Sequence, residues 1–121
     1  AWCFTFQGHS MHPRFLDADR LSRDAIGAAI EVHRILGPGL LESIYEKCLR
    51  QEFELRGIPV VAQEYVNIEY KGLIFKEELK FDLLVSGVLL VEIKAVQEVH
   101  PVHKAQLLSY MKLLDIPVGL L

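Results

Sequence analysis

Either side of Ser86-Gly87, alternate positions are apolar: Phe81, Leu83 and Val85 before the turn, Leu89, Val91 and Ile93 after it. Strand side chains point to opposite faces with period two, so this pattern selects one hairpin register and penalises its neighbours. A two-residue turn would pair Val85 with Val88 and mix charged groups into the apolar face. A three-residue connection, Ser86-Gly87-Val88, pairs Val85 with Leu89 and Leu83 with Val91, and gathers the six apolar residues on one face. A slip that buried Glu92 and Lys94 without partners would cost several kcal/mol. The three-residue connection is therefore expected, and it has a chemical consequence. Asp82 stands across from Glu92, and Lys94, two residues further, projects from the same face as Glu92.

The flanking segments read as helices and further strands. Residues 17–36 carry a helical period, with Asp19 or Ser22 as the cap and Ile26, Ala29, Ile30, His33 and Leu36 on one face. Gly37-Pro38-Gly39 stops that helix. A second helix is expected over about residues 40–56, with Leu41, Ile44, Tyr45, Cys48, Leu49 and Leu55 inward, ended by Gly57-Ile58-Pro59. Residues 60–70 read as a strand. Lys71-Gly72 suits a two-residue turn that sets Tyr70 opposite Leu73 and Ile68 opposite Phe75. Strands are expected at 79–85 and 89–94, a third helix at 101–114 with Pro101 in its first turn, and a last strand starting at Val118 and cut short at Leu121. The order α-α-β-β-β-α-β describes a mixed α/β sandwich.

Asp82, Glu92 and Lys94 form D-x9-E-x-K. Two carboxylates facing each other on a sheet repel. A divalent cation reverses that penalty, and Mg²⁺ commonly takes one or two protein carboxylates, with water and phosphate oxygens completing its shell. Lys94 beside such a site can steady negative charge developing on a phosphate or position a water. The same spacing also suits a solvated hairpin face with an Asp–Lys or Glu–Lys pair. Gly39-Leu40-Leu41-Glu42-Ser43-Ile44-Tyr45 places Glu42 and Tyr45 on one helix face, and the helix dipole alone is a sufficient reason for an acid in the first turn. Gln106 and Tyr110, four apart on the third helix, form a polar pair. His100 and His103 lie where that helix starts, within reach of a phosphate or simply as helix-start residues.

Composition narrows the class. The 121 residues are one domain by length, and 51 % of them are apolar, enough for strands buried on both faces or for an oligomer interface. No apolar run reaches the roughly 18 residues of a membrane span. Thirteen Lys and Arg against sixteen Asp and Glu give a formal charge of −3, so contact with nucleic acid would have to be local, on a face such as Lys76, Lys80, Lys94, Lys104 and Lys112. Two widely separated cysteines, Cys3 and Cys48, build neither a zinc site nor a disulfide framework, and a reducing, cytoplasmic setting is expected. Residues 1–16 read as an N-terminal extension or tag remnant, with Met11 a plausible natural start, and 17–121 as the domain. The apolar content, with an open edge on the final strand, predicts a homo-oligomer.

Taken together, IGAAIEVHRILGPGLLESIYEKCL, KFDLLVSGVLLVEIKAV and PVHKAQLLSYMKLL resemble the GxxExxY proteins of the PD-(D/E)xK nuclease superfamily, over residues 21–121. The resemblance implies a restriction-endonuclease-like core, a mixed sheet flanked by helices. It implies Asp82, Glu92 and Glu42 as ligands of Mg²⁺ or Mn²⁺, Lys94 as the lysine assisting phosphodiester hydrolysis, and Gln106 and Tyr110 as the Q-x-x-x-Y of the RecB-like branch, orienting Lys94 or touching the nucleic-acid backbone. The expected function is a metal-dependent nuclease. The alternative is a non-catalytic interaction or oligomeric accessory protein on the same fold.

Overall fold

The structure, a computed structural model, describes residues 6–94 and 100–121, with the side chain of Gln63 excepted. The described elements are β1 (Phe6–Gly8), α1 (Phe15–Leu36), α2 (Glu42–Leu55), β2 (Val60–Tyr70), β3 (Leu73–Val85), β4 (Leu89–Val91), α3 (Pro101–Leu114) and β5 (Val118–Leu120). The five strands form one sheet in the order β1-β5-β4-β3-β2. The pair β4–β5 is parallel and the other pairs are antiparallel. The parallel pair needs a crossover, and α3 supplies it.

Both hairpins take the expected register. Tyr70 pairs with Leu73 and Ile68 with Phe75 across Lys71-Gly72, whose φ values of 46° and 89° are the left-handed pair a tight two-residue turn requires. Val85 pairs with Leu89 and Leu83 with Val91 across three turn residues. The Ser86 amide donates to the Pro59 carbonyl at 2.8 Å, which ties this turn to the start of β2.

Helices cover both faces of the sheet. On one face, Leu83, Val85, Leu89, Val91, Val118 and Leu120 pack against α1 and α2, and Ile93 joins them. On the other, Leu84 and Leu90 pack with Leu107 and Met111 of α3. Phe81 departs from the expected six-residue face and belongs to the α3 side. The cause is an irregularity in the β2–β3 ladder: Val61 pairs with Leu84 but Gln63 with Lys80, so two steps on β2 span four on β3 and the alternation is broken there.

The helix faces are rotated from their expected positions. In α1 the buried stripe is Ala18, Ser22, Ala25, Ala28, Ala29 and Val32, while Ile30 is exposed and Ile26 and Leu36 pack at the margin. Small residues let the helix lie close to the sheet, which outweighs the larger apolar side chains in choosing the face. Neither Asp19 nor Ser22 caps α1. The helix begins at Phe15, and the Ser22 hydroxyl donates to the Asp19 carbonyl. In α2 the buried residues are Tyr45, Leu49 and Phe53, whereas Leu41 and Leu55 are exposed. Phe53, fully buried, fills the space that Leu55, turned away on the helix, cannot reach.

The final strand does not present an open edge. β1 pairs along it, Phe6 opposite Leu120 and Gly8 opposite Val118, so part of the expected 1–16 extension is built into the sheet. The rest of that extension before Phe6, including Cys3, lies outside the described residues. The long edge strand is β2 instead. No described helix is long and apolar enough to cross a membrane.

Candidate functional site

The β3–β4 pairing continues beyond Leu83–Val91 through the carboxylate of Asp82. The Ile93 amide donates to Asp82 Oδ2 at 2.6 Å, so a side-chain oxygen takes the place a ladder carbonyl would occupy. On the other side, the Glu92 amide donates to the Leu120 carbonyl of β5 at 2.9 Å. Two consecutive amides are thus held by neighbouring strands, which fixes the backbone that carries Glu92.

Glu92 is a buried acid, with 7 % of its surface exposed, and its Oε1 is fully buried with no hydrogen-bond partner. Burial pushes its carboxyl up to about 7, the Asp82 charge adds to the rise, and Lys94 opposes it. Burial disfavours the charged form, and a second carboxylate disfavours it again. The Lys94 charge acts on Glu92 and favours its ionised form. Lys94 itself is half-buried.

An unpartnered buried carboxylate oxygen beside a second carboxylate is a poor place for two negative charges and a good place for a cation. The donors are hard oxygens, which suit Mg²⁺ or Mn²⁺ rather than a softer metal. The residues therefore fit a divalent ion held by Asp82 and Glu92. Among the described residues no three His, Cys, Asp or Glu side chains gather into a ligand group.

Glu42 is the first residue of α2 and is exposed. α2 packs on the Leu83–Val85 face of the sheet. Tyr45, the other polar residue of the same motif, has a clear structural task. Its hydroxyl donates to the Gly37 carbonyl at 2.7 Å and accepts from the Leu40 amide at 3.0 Å. It thereby clasps the α1–α2 connection, in which Gly37 and Gly39 have φ of 74° and 91°. The motif shapes the loop that leads into Glu42.

Gln106 and Tyr110 lie one turn apart on α3, and Gln106 is exposed. Gln106 Nε2 donates to the Tyr110 hydroxyl at 3.5 Å, the long limit of such a bond, and Tyr110 packs on the α3-side core. His100 and His103 serve the helix start: the His100 amide donates to His103 Nδ1 at 3.3 Å, within a reciprocal cap. What the sequence did not reveal is the part of Leu120, whose carbonyl anchors Glu92. Its strand was legible, but nothing local to it says which strand it lies beside.

The fold is a three-layer α/β arrangement in which a buried Glu92, a half-buried Asp82 and Lys94 meet at the end of a central hairpin. The comparison with protein families makes this specific: residues 19–121 match the PD-(D/E)XK nuclease superfamily, and the chain belongs to it. The fold is accordingly restriction-endonuclease-like, and nucleases of this superfamily generally use divalent metal ions. Neither the curated proteins nor the solved structures contain a match to this chain.

Proposed function

We propose that this chain is a divalent-metal-dependent nuclease of the GxxExxY type, hydrolysing phosphodiester bonds of nucleic acid. The observation that carries this reading is the Asp82–Glu92 pair, with its buried unpartnered Glu92 Oε1, beside Lys94. Asp82 and Glu92 would hold Mg²⁺ or Mn²⁺, with the Ile93 carbonyl as a further oxygen donor. A bound ion supplies Lewis-acid stabilisation of the phosphate and lowers the pKa of an attacking water. Lys94 contributes a fixed positive charge toward the scissile phosphate, in a site where burial strengthens it. Gln106 and Tyr110 orient Lys94 or contact the nucleic-acid backbone. Glu42, at the positive end of α2, forms no ligand group with Asp82 and Glu92, and its part as a further carboxylate for water or a second ion rests on the GxxExxY resemblance. A reducing, cytoplasmic setting accords with the unbridged Cys48.

The test is cleavage of a mixed DNA and RNA panel with Mg²⁺ or Mn²⁺, alongside Mn²⁺ binding by calorimetry. Asp82→Asn should lose both cleavage and ion binding, because a ligand charge is gone. Lys94→Ala should lose cleavage and keep ion binding, because its charge serves the phosphate. Glu42→Gln should lower cleavage. Full activity in Lys94→Ala would remove its assigned role, and full activity in Asp82→Asn would remove the metal site. A second reading, an interaction module without catalysis, is favoured by the exposed apolar tip of the β2–β3 hairpin. A wild-type chain that folds, cleaves nothing on the panel and binds no ion would establish it.

A further inference from the structure

The β2–β3 hairpin runs well beyond the part of the sheet that β4 covers. β4 pairs only with Leu83–Val85, while the β2–β3 ladder continues to Tyr70 and Leu73. The two faces of this arm differ. Tyr65, Asn67 and Glu69 share one face with Ile74, Lys76 and Glu78; there the Lys76 ammonium lies 5.8 Å from the Tyr65 ring centre, and Glu78 stands across from Tyr65. The other face carries Val66, Ile68 and Tyr70 with Leu73 and Phe75, and Glu64 and Glu77 towards its root. Its root is covered, because Val66 and Leu79 pack with α3. Its outer half is not: Tyr70 is 63 % exposed and Leu73 59 %.

The edge of this arm is also unprotected. β2 is a terminal strand of the sheet, eleven residues long, with no further strand along its outer side among the described residues. Edge strands are ordinarily blunted by lysine, proline, shortness or a bulge. β2 contains no lysine or proline, and its one irregularity lies at the root, between Val61 and Gln63.

We propose that the outer edge of β2 pairs antiparallel with β2 of a second copy of this chain, about a two-fold axis, joining the two sheets and extending the α3-side apolar face. The charges of the strand are compatible with such self-pairing. Hydrogen-bonded and non-hydrogen-bonded pairs alternate along an antiparallel ladder. A two-fold axis therefore sits on a residue that opposes itself, and residues of even number meet residues of even number. Glu64 and Glu69 are the only charged residues of β2, and their numbers differ in parity, so no symmetric register sets one against the other. Axes on Tyr65, Val66, Asn67 or Ile68 also avoid opposing either glutamate to itself. In each of these registers the even-numbered apolar face of one arm continues into that of the other, which is how a symmetric, isologous contact is built. A nucleic-acid partner is less well suited, since residues 60–80 carry four glutamates against three lysines.

Sedimentation velocity on the full chain across micromolar concentrations tests this, with Ile68→Lys and Tyr70→Lys as variants and circular dichroism to establish that each folds. The wild type should dimerise, and each variant should dimerise at least about tenfold more weakly. Single cysteines placed at positions 65 to 68, with Cys3 and Cys48 replaced by serine, should cross-link to themselves best at one position, where Cα atoms lie within disulfide range. A monomer at all concentrations overturns the proposal. So does a dimer indifferent to both lysine variants, or self-cross-linking that is no stronger at any one of the four positions than at the others. A chain that stays monomeric and binds a fluorescent oligonucleotide through Tyr70 overturns it in favour of a nucleic-acid arm.

Discussion

Glu92→Gln should make the metal-free protein more stable at alkaline pH while removing its ion site. The Glu92 carboxyl is pushed from its ordinary value of 4.5 to about 7 in the folded chain. The folded state therefore holds a proton that the unfolded state has released between these two values. Stability from this group is full below about pH 4.5, falls as pH rises through the interval and levels off above about pH 7. A shift of this size corresponds to a loss on the order of 3 kcal/mol between pH 4.5 and pH 8. For a chain of this length that is roughly 10 °C in melting temperature. Glutamine has the same shape and no charge, so the variant should lack this fall and melt above the wild type at pH 8. Adding Mn²⁺ at pH 8 to about a thousand times its Kd should reverse the ranking, since an ion at that level stabilises the wild type by about 4.1 kcal/mol and the variant not at all. Thermal unfolding of both proteins from pH 5 to pH 8, with EDTA and with Mn²⁺, measures each quantity. Parallel pH profiles for the two proteins would refute the account, because they would mean that Glu92 loses its proton and becomes charged at no cost to the fold.

Two further substitutions probe the framework around the site. Tyr45→Phe removes the hydroxyl that bonds Gly37 and Leu40, and should cost about 1–3 kcal/mol in urea unfolding. It should also lower any nuclease activity that depends on Glu42, and an unchanged midpoint would show that the clasp is dispensable. Gly119→Ala places a Cβ 2.6 Å from the Met111 sulfur and 3.0 Å from Leu107, between β5 and α3. Overpacking there should cost about 1–3 kcal/mol, and the variant should regain stability when combined with Met111→Ala.

The sequence by itself determined the extents of β2 and α3 and the register of both hairpins. These follow from relations among near neighbours: the period-two alternation of residues 81–93, a turn with two positive φ angles at Lys71-Gly72, and Pro101 at a helix start. The nearness of Asp82 to Glu92 and Ile93 was legible for the same reason, since one slip would have moved every apolar side chain to the wrong face. Only the tertiary structure decided which strand lies beside which. β1 closes the edge of β5, the Leu120 carbonyl holds the Glu92 amide, and β2 is left as the long edge, all through contacts between residues distant in the chain. The tertiary structure likewise decided which face of α1 is buried, because close approach to the sheet favours Ala18, Ala25 and Ala29 over the bulkier Ile30. It also sent Phe81 across the sheet, because the extra residues of β3 opposite Val61–Gln63 break an alternation that the sequence pattern continues without interruption. Periodicity reports the local geometry of a strand, whereas a bulge and a neighbouring strand are settled by packing, to which residues far apart in the chain contribute.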